Sequence, residues 1–312
     1  MCKNVVLIPL KSSVDPAMQK SCKPAMLGRM WQASSRAFSL DHWPSHRFGC
    51  CQWQKRQQPS KYYILYRWIV FIAVLAINIA SFACQRIPVK YHGLKLELNY
   101  FKWFIYLTNW GFMLIAVQAA LALGVVYYYK NDRNLNLTYD EDDVPVPMSR
   151  RKRTPILCRV YWLTQNVATD LAFVISLVYW ALVYDPEIHE INAINLLVHG
   201  GNSAIMLCEL AVTAHPIRMA HAMYGAGAGL AYGLFSAFYW AVGGTDRLGQ
   251  AAIYPTLDWN KPAAAFGFVA LCAVVLVMAH GVATCLAVVR LRLAKRLYAK
   301  RAQSDRLTLP TH

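Results

Sequence analysis

Six stretches of about 20 apolar residues, almost free of charge, constrain this chain more than any other feature of its sequence. They cover residues 63–84, 103–129, 159–184, 191–213, 219–242 and 263–289. Only 15% of the 312 residues are charged, whereas a soluble domain usually carries about 25%. Lipid offers backbone polar groups no partner, so each stretch must satisfy them within a helix. The sequence predicts an all-α, polytopic membrane bundle of six transmembrane helices.

The distribution of Lys and Arg predicts the orientation of this bundle. Both residue types are concentrated in 1–60, in 130–158 and beyond 290, and they are sparse in 85–102 and 243–262. Basic residues mark the cytoplasmic side of membrane proteins, so we expect both termini in the cytoplasm. The net charge of +16 is then a topology signal, and it predicts no nucleic-acid partner. The one glycosylation sequon, at 136–138, is expected to stay empty because it faces the cytoplasm.

We divide the chain into a disordered basic cytoplasmic tail (1–61), a six-helix transmembrane domain (62–290) and a second basic cytoplasmic tail (291–312). The nine cysteines are irregularly spaced and form neither a disulfide framework nor a metal pattern, so we expect no metal and no cofactor. Cys50 and Cys51 lie shortly before the first span, where they form either a palmitoylation site or an unmodified pair.

Polar residues at membrane depth are the candidates for chemistry, because burying them in lipid is costly. Asp170 lies near the middle of the third span, where a carboxylate is by default a functional or a pairing site. The alternative for the uncharged polar residues is hydrogen bonding between helices. His280 stands alone in the sixth span, and we interpret it as a packing residue. The polar faces of the second, third and fourth spans comprise Thr108, Asn109, Gln118, Gln165, Asn166, Thr169, Asp170, Asn192, Asn195, His199, Asn202 and Ser203.

Thr108 and His199 are expected at similar depth in the outer leaflet, about 8 and 12 Å from the ends at which their helices enter, at 1.5 Å per residue. A threonine hydroxyl becomes a nucleophile when a base such as histidine takes its proton. If the two helices are neighbours, the pair predicts an acyl-transfer site reached from lipid. Asp170 or an Asn orients the imidazole in this hypothesis, and Asn202 or Asn109 donates to the oxyanion. The supporting residues are Asp170, Asn166, Asn109, Asn202 and Ser203.

Two further patterns concern packing. Gly225, Gly229 and Gly233 form a doubled GxxxG motif in the fifth span, which favours close contact between helices of the bundle. Glu209, near the cytoplasmic end of the fourth span, is expected to pair with either Arg218 or Arg67.

These motifs together resemble the rolling stone family, insect multi-pass membrane proteins linked to myoblast fusion. The resemblance covers about 62–290, all six spans. It rests on the stretches 65–68 (LYRW), 106–111 (YLTNWG), 166–170 (NVATD), 198–203 (VHGGNS), 214–218 (AHPIR) and 243–247 (GGTDR), with 253–255 (IYP) and 257–259 (LDW). It implies a plasma-membrane protein, or alternatively one of the endoplasmic reticulum, that acts in cell–cell fusion with protein or lipid partners.

That family is in turn similar to the androgen-induced membrane hydrolases, which cleave fatty-acid esters of hydroxy fatty acids with a Thr and a His. The resemblance implies Thr108 as nucleophile and a lipid ester as substrate. Their His motif has two histidines; here His199 matches the first, and Asn202 occupies the second position. Three hypotheses therefore stand: a fusion protein without chemistry of its own, a threonine-type lipid ester hydrolase, and a transporter or channel that uses Asp170.

Overall fold

A computed structural model describes residues 37–42, 44–84, 100–132, 153–186 and 189–307. The first 36 residues, the sequon at 136–138 and most of the basic loop before 153 lie outside this range. Helices account for most of the described chain, and its one β-bridge is isolated. The predicted all-α class is confirmed.

Within the described ranges, six long helical segments follow one another along the sequence. α1 spans Lys61–Ala83, α2 spans Leu107–Lys130, and α3 spans Ile156–Val178 and continues as a π-helical turn through Val183. α4 joins Ala193–Leu196 to Asn202–Val212 through a π-helical turn at Leu197–Gly201. α5 spans Ala222–Ala241 and α6 spans Pro262–Leu307. Short 3-10 turns lie at Ser45–Gly49, Tyr100–Ile105 and Met219–His221.

Four of these helices, α1, α2, α3 with its π turn, and α6, are long and apolar enough to cross a membrane. α1 exposes large apolar side chains such as Ile69 and Ile72, as expected for contact with lipid. α4 and α5 are not among these four. α4 is divided by its π-helical turn into shorter helical pieces, and α5 contains four glycines and three tyrosines among its apolar residues. The structure is that of a membrane helix bundle.

α3 is the central helix and packs against α2, α4, α5 and α6. Its buried face presents Ala168 and Ala172 to Phe112 and Ile115 of α2 and to Met206 of α4. The GxxxG motif is used for packing in the bundle, as predicted. A Cβ atom at Gly229 would lie 2.5 Å from the Leu276 side chain of α6.

One end of the bundle, here called the basal end, is formed by residues 38–60, the turn 213–221 and the last described turns of α6. The opposite, loop end is formed by residues 100–106 and 243–261. At the basal side, a buried ion pair joins Arg67 of α1 to Glu209 of α4 at 2.5 Å. Gln118 and Tyr66 donate hydrogen bonds to the same carboxylate at 3.0 and 2.8 Å. Glu209 therefore pairs with Arg67, one of the two partners that the sequence predicted.

The predicted boundary of the N-terminal tail at residue 61 needs correction, because residues 38–60 pack against the helices. Phe48 is buried and its ring stacks on His215, with centroids 5.0 Å apart. Asp41 pairs with Arg159 at 2.7 Å. The Trp53 indole donates to the Ala211 carbonyl oxygen at 2.8 Å. Apolar and aromatic anchors thus fold a segment whose overall composition is polar and basic.

Two further features of the basal end bear on the predictions. Cys50 is buried, its thiol contacts the Gln57 carbonyl oxygen at 3.0 Å, and burial raises the pKa of this thiol to about 12. Cys51 is partly exposed, and palmitoylation of the pair stays a prediction. The helix predicted to end near 289 continues to Leu307. Arg290 is buried there and donates to the carbonyl oxygens of Leu210 and His215 at 2.6 and 2.7 Å.

Candidate functional site

Thr108 lies in the first turn of α2, which begins without a side-chain cap from its own residue Tyr106. The cap comes from the loop end instead. The backbone N–H of Leu107 donates to the Tyr254 hydroxyl at 2.9 Å, and Tyr254 and Thr108 line the same cavity. Burial raises the pKa of Tyr254 to about 12, so the phenol stays protonated at neutral pH. The sequence marked Tyr254 only as part of a motif; its capping role was missed.

A cavity of about 520 Å³ opens beside Thr108, between α2, α3, α5, α6 and the loop 254–257. Its walls are almost wholly apolar. The polar side chains that line it carry hydroxyl or thiol groups and are Thr108, Tyr179, Tyr232, Tyr254, Thr256 and Cys272. Thr256 Oγ1 is buried, and no hydrogen-bond partner for it is found among the described residues. The arrangement is an apolar chamber with uncharged hydrogen-bonding groups.

His199 belongs to the π-helical turn of α4 and stacks on Tyr179, with ring centroids 3.4 Å apart and planes 3° apart. The Tyr179 hydroxyl accepts a hydrogen bond from the Asn195 amide at 2.5 Å. Tyr179 lines the cavity, whereas His199 does not. The structure therefore connects His199 to the chamber of Thr108 through Tyr179. Within the described part of the chain, no hydrogen bond between His199 and Thr108 is present.

Asp170 pairs with His280 and not with His199, which corrects both the predicted orienting role of Asp170 and the interpretation of His280 as isolated. The His280 Nδ1 atom lies 2.9 and 3.0 Å from the two carboxyl oxygens. Its Nε2 atom lies 2.9 Å from the Arg218 carbonyl oxygen. Because a carbonyl only accepts, Nε2 carries a proton. The proton between Nδ1 and the carboxyl group then belongs either to the imidazole or to the acid. The first form is an imidazolium with a carboxylate, and the second is an imidazole with a carboxylic acid. The pair has no net charge in either form.

Gly225 makes room for this pair. A Cβ atom at that position would lie 2.3 Å from an Asp170 carboxyl oxygen. The first glycine of the GxxxG motif thus admits a carboxyl group, whereas the second and third face side chains of α6.

The other supporting residues are distributed over separate places. The Asn202 amide oxygen accepts from the Ser176 hydroxyl at 2.8 Å, and the Ser203 hydroxyl donates to the Ala172 carbonyl oxygen at 2.9 Å, so both tie α4 to α3. Asn166 hydrogen-bonds to His221 at 3.1 Å. Asn109 donates to the Trp103 carbonyl oxygen at 2.7 Å and fixes the turn before α2. These contacts bind helices and turns together; none of them places a donor beside the Thr108 hydroxyl.

The chamber can hold an uncharged, elongated molecule, and the Thr108 side chain forms part of its wall. Across the described ranges, no group of three or more His, Cys, Asp or Glu side chains converges as a metal site.

Comparison with known proteins assigns the family. The family model described as protein rolling stone matches residues 26–304. The protein rolling stone of Drosophila melanogaster is 32% identical over 220 residues, which cover 70% of this chain and 73% of that protein. No solved structure matches the chain. The chain belongs to the rolling stone family.

Proposed function

We propose that this protein crosses the plasma membrane six times, with both termini in the cytoplasm, and acts in cell–cell fusion such as the fusion of myoblasts. Family membership is the observation that carries the proposal. Packing supports an even number of crossings. The Tyr298 hydroxyl of α6 donates to the Gln52 carbonyl oxygen at 3.0 Å, so the segment before α1 and the end of α6 meet on one side of the bundle.

The loop end favours action within the protein's own membrane over direct bridging of two membranes. Lys102 donates to the Thr245 hydroxyl and the Asp246 carbonyl oxygen at 2.7 and 2.6 Å. The Tyr239 hydroxyl donates to the Thr245 carbonyl oxygen at 3.0 Å. The loop after α5 is thereby held against the bundle. A role in organising lipids or partner proteins before fusion fits this geometry.

The test is a myoblast culture from which the gene has been removed. We expect the fraction of nuclei in multinucleate cells to fall and to recover with the wild-type chain, while cell contact and differentiation markers stay unchanged. Undiminished fusion without the gene would contradict the proposal. Tags on both ends should be accessible only after permeabilisation, and Asn136 should remain unglycosylated. An amino-terminal tag that is accessible on intact cells would contradict the topology.

A second candidate function is lipid ester hydrolysis, favoured by the position of the Thr108 hydroxyl in the wall of an apolar chamber. The Thr108 oxygen would attack the ester carbonyl carbon while His199 takes the hydroxyl proton. The alcohol would leave with that proton, and water would then hydrolyse the acyl-threonine to the free acid. This reaction requires His199 to come within hydrogen-bond reach of Thr108 past Tyr179.

A fluorophosphonate lipid probe tests the hydrolase candidate on purified protein. Labelling and ester hydrolysis should disappear in Thr108→Ala and fall sharply in His199→Ala. Thr284→Ala is the matched control, because that hydroxyl bonds within α6, to the His280 carbonyl oxygen at 2.9 Å, and lies outside the cavity lining. Full activity in Thr108→Ala would remove this candidate.

A further inference from the structure

The cavity beside Thr108 has the composition of a site for a particular kind of molecule. Its volume of about 520 Å³ falls within the usual range of small-molecule sites, roughly 300–1,000 Å³. Side chains of α3, α5 and α6 form most of its surface, among them Ile175, Leu230 and Phe266. An elongated hydrocarbon chain matches such walls.

The polar groups of the cavity restrict the head of that molecule. None of the described lining residues is charged, so a phosphate, carboxylate or ammonium group would be buried there without a counter-charge, which is strongly unfavourable. The available hydrogen-bonding groups are mainly hydroxyls, which both donate and accept. Thr256 Oγ1 is buried among them without a described partner, and a buried polar atom normally has one. A ligand hydroxyl or ester oxygen would supply it.

We propose that this cavity binds one uncharged single-chain amphiphile, a long-chain alcohol or monoacylglycerol, with its polar group at Thr108 and Thr256. Its hydrocarbon chain lies between α3, α5 and α6. The inference names the ligand class of the chamber that the hydrolase candidate uses, and it requires no catalytic step. Lipid tails gain little by leaving a bilayer for another apolar surface. Recognition therefore rests on the hydroxyl groups and on the shape of the walls.

Small residues create the shape. Ala226 of α5 and Ala273 of α6 line the cavity, and both are only partly covered by protein atoms. A leucine at 226 would extend into the space assigned to the hydrocarbon chain. Ala120 of α2 is exposed and outside the lining, so Ala120→Leu adds the same atoms to the same kind of helix without entering the cavity.

The test uses the full chain in nanodiscs with a photoreactive monoacylglycerol that carries a diazirine in its acyl chain. We expect saturable labelling of peptides from α3 and α6 that line the cavity. Unlabelled monoacylglycerol should compete, and a lysophosphatidic acid of the same chain length should not. Labelling should fall at least about tenfold in Ala226→Leu and stay unchanged in Ala120→Leu. Labelling that resists Ala226→Leu, or that both competitors suppress equally, would overturn the proposal.

Two further variants keep the result interpretable. Should Ala226→Leu fail to fold in a thermal unfolding assay, Thr256→Val carries the test, because it removes the hydroxyl at nearly constant volume. We expect it to weaken competition by monoacylglycerol about tenfold, and unchanged competition would contradict the site. His199 does not line the cavity, so His199→Ala should lower any hydrolysis sharply while photolabelling persists. Labelling without hydrolysis in the wild type would remove the hydrolase candidate and leave the binding site in place.

Discussion

At the basal side of the bundle, Arg67, Glu209 and Gln118 fill the space between α1, α2 and α4 with hydrogen-bonded polar groups, whereas near the loop end α3, α5 and α6 leave an apolar cavity of about 520 Å³. The basal contacts join residues far apart in sequence and hold the helix ends in one arrangement. The cavity has few such constraints and has room for a molecule. The comparison indicates that contacts near the basal end hold the helices together, whereas the candidate site, the cavity beside Thr108, lies near the loop end.

The largest effect is expected from breaking the basal ion pair. Arg67→Ala leaves Glu209 buried without its counter-charge and should lower the free energy of unfolding by about 3–5 kcal/mol. The double variant Arg67→Met, Glu209→Met should be less destabilised than the single one, because neither charge remains. Denaturant unfolding in detergent measures both. Arg159→Ala is the control, since its partner Asp41 is exposed and such a pair contributes about 0–1 kcal/mol. Equal losses in Arg67→Ala and Arg159→Ala would contradict the distinction.

A smaller loss is expected where α5 meets the Asp170–His280 pair. Gly225→Ala places a methyl group against the Asp170 carboxyl, and overpacking of this kind costs about 1–3 kcal/mol. Gly227→Ala is matched to it, because a Cβ atom there meets nothing within 4 Å and alanine favours a helix over glycine by up to about 1 kcal/mol. Thermal unfolding of the two variants should therefore shift in opposite directions. If Gly225→Ala did not lower the unfolding temperature, the Asp170 carboxyl would not lie against position 225 as the structure shows.

Acidification should loosen residues 38–60 before it affects the loop end. Burial, reinforced by the charge of Arg218 for His42 and of Arg47 for both, lowers the pKa of His42 and His46 to about 4. The released segment binds protons at the ordinary value of 6.5, so docking is strongest above that pH and weakens as the pH falls toward 4. Hydrogen exchange, corrected for intrinsic rates, should show the loss of protection. The double variant His42→Asn, His46→Asn should weaken this pH dependence, and an unchanged dependence would refute the assignment. Some dependence should remain, because His215 and His221 also contact the segment and burial lowers their pKa as well.

The smallest effect is expected in the cavity itself. Ala226→Leu should change the free energy of unfolding by no more than about 1 kcal/mol, because added atoms enter empty space there instead of a packed contact. The same measurement used for Gly225→Ala provides the comparison. A destabilisation of Ala226→Leu as large as that of Gly225→Ala would mean that the chamber is already filled by protein atoms.

The sequence predicted helix positions better than helix partners. The start of α1 at Lys61 and the end of α2 at Lys130 lie within two residues of the predicted bounds, because apolar runs report directly on lipid crossing. Asp170, Asn166 and Asn202 are buried as expected for inward faces. A helical face, however, specifies a direction and not a neighbour. The partner of Asp170 is His280 in α6, 110 residues away. The sequence around neither residue indicates that the two are in contact.

The folding of residues 38–60 was missed for a different reason. The segment has no helical or strand period, and its basic charge resembles that of a disordered tail. Its signal is a pair of aromatic anchors, Phe48 and Trp53, which contact His215 and the Ala211 carbonyl oxygen. At the candidate site, too, the contact that the sequence did not predict is made by a segment without a regular period. Thr108 was identified from the sequence, but its Tyr254 cap comes from a loop whose path a single sequence does not determine.

The central claim is that the cavity near the loop end holds a lipid-like molecule, whereas polar side chains fill the space between the helices near the basal end. The most direct test is a structure of the purified chain in lipid nanodiscs. We predict continuous elongated density from Thr256 along α3 and α6 toward Leu276, with Arg67 and Glu209 in direct contact. A map in which α5 closes onto α6 and leaves no chamber, or in which ordered water fills the chamber, would contradict it.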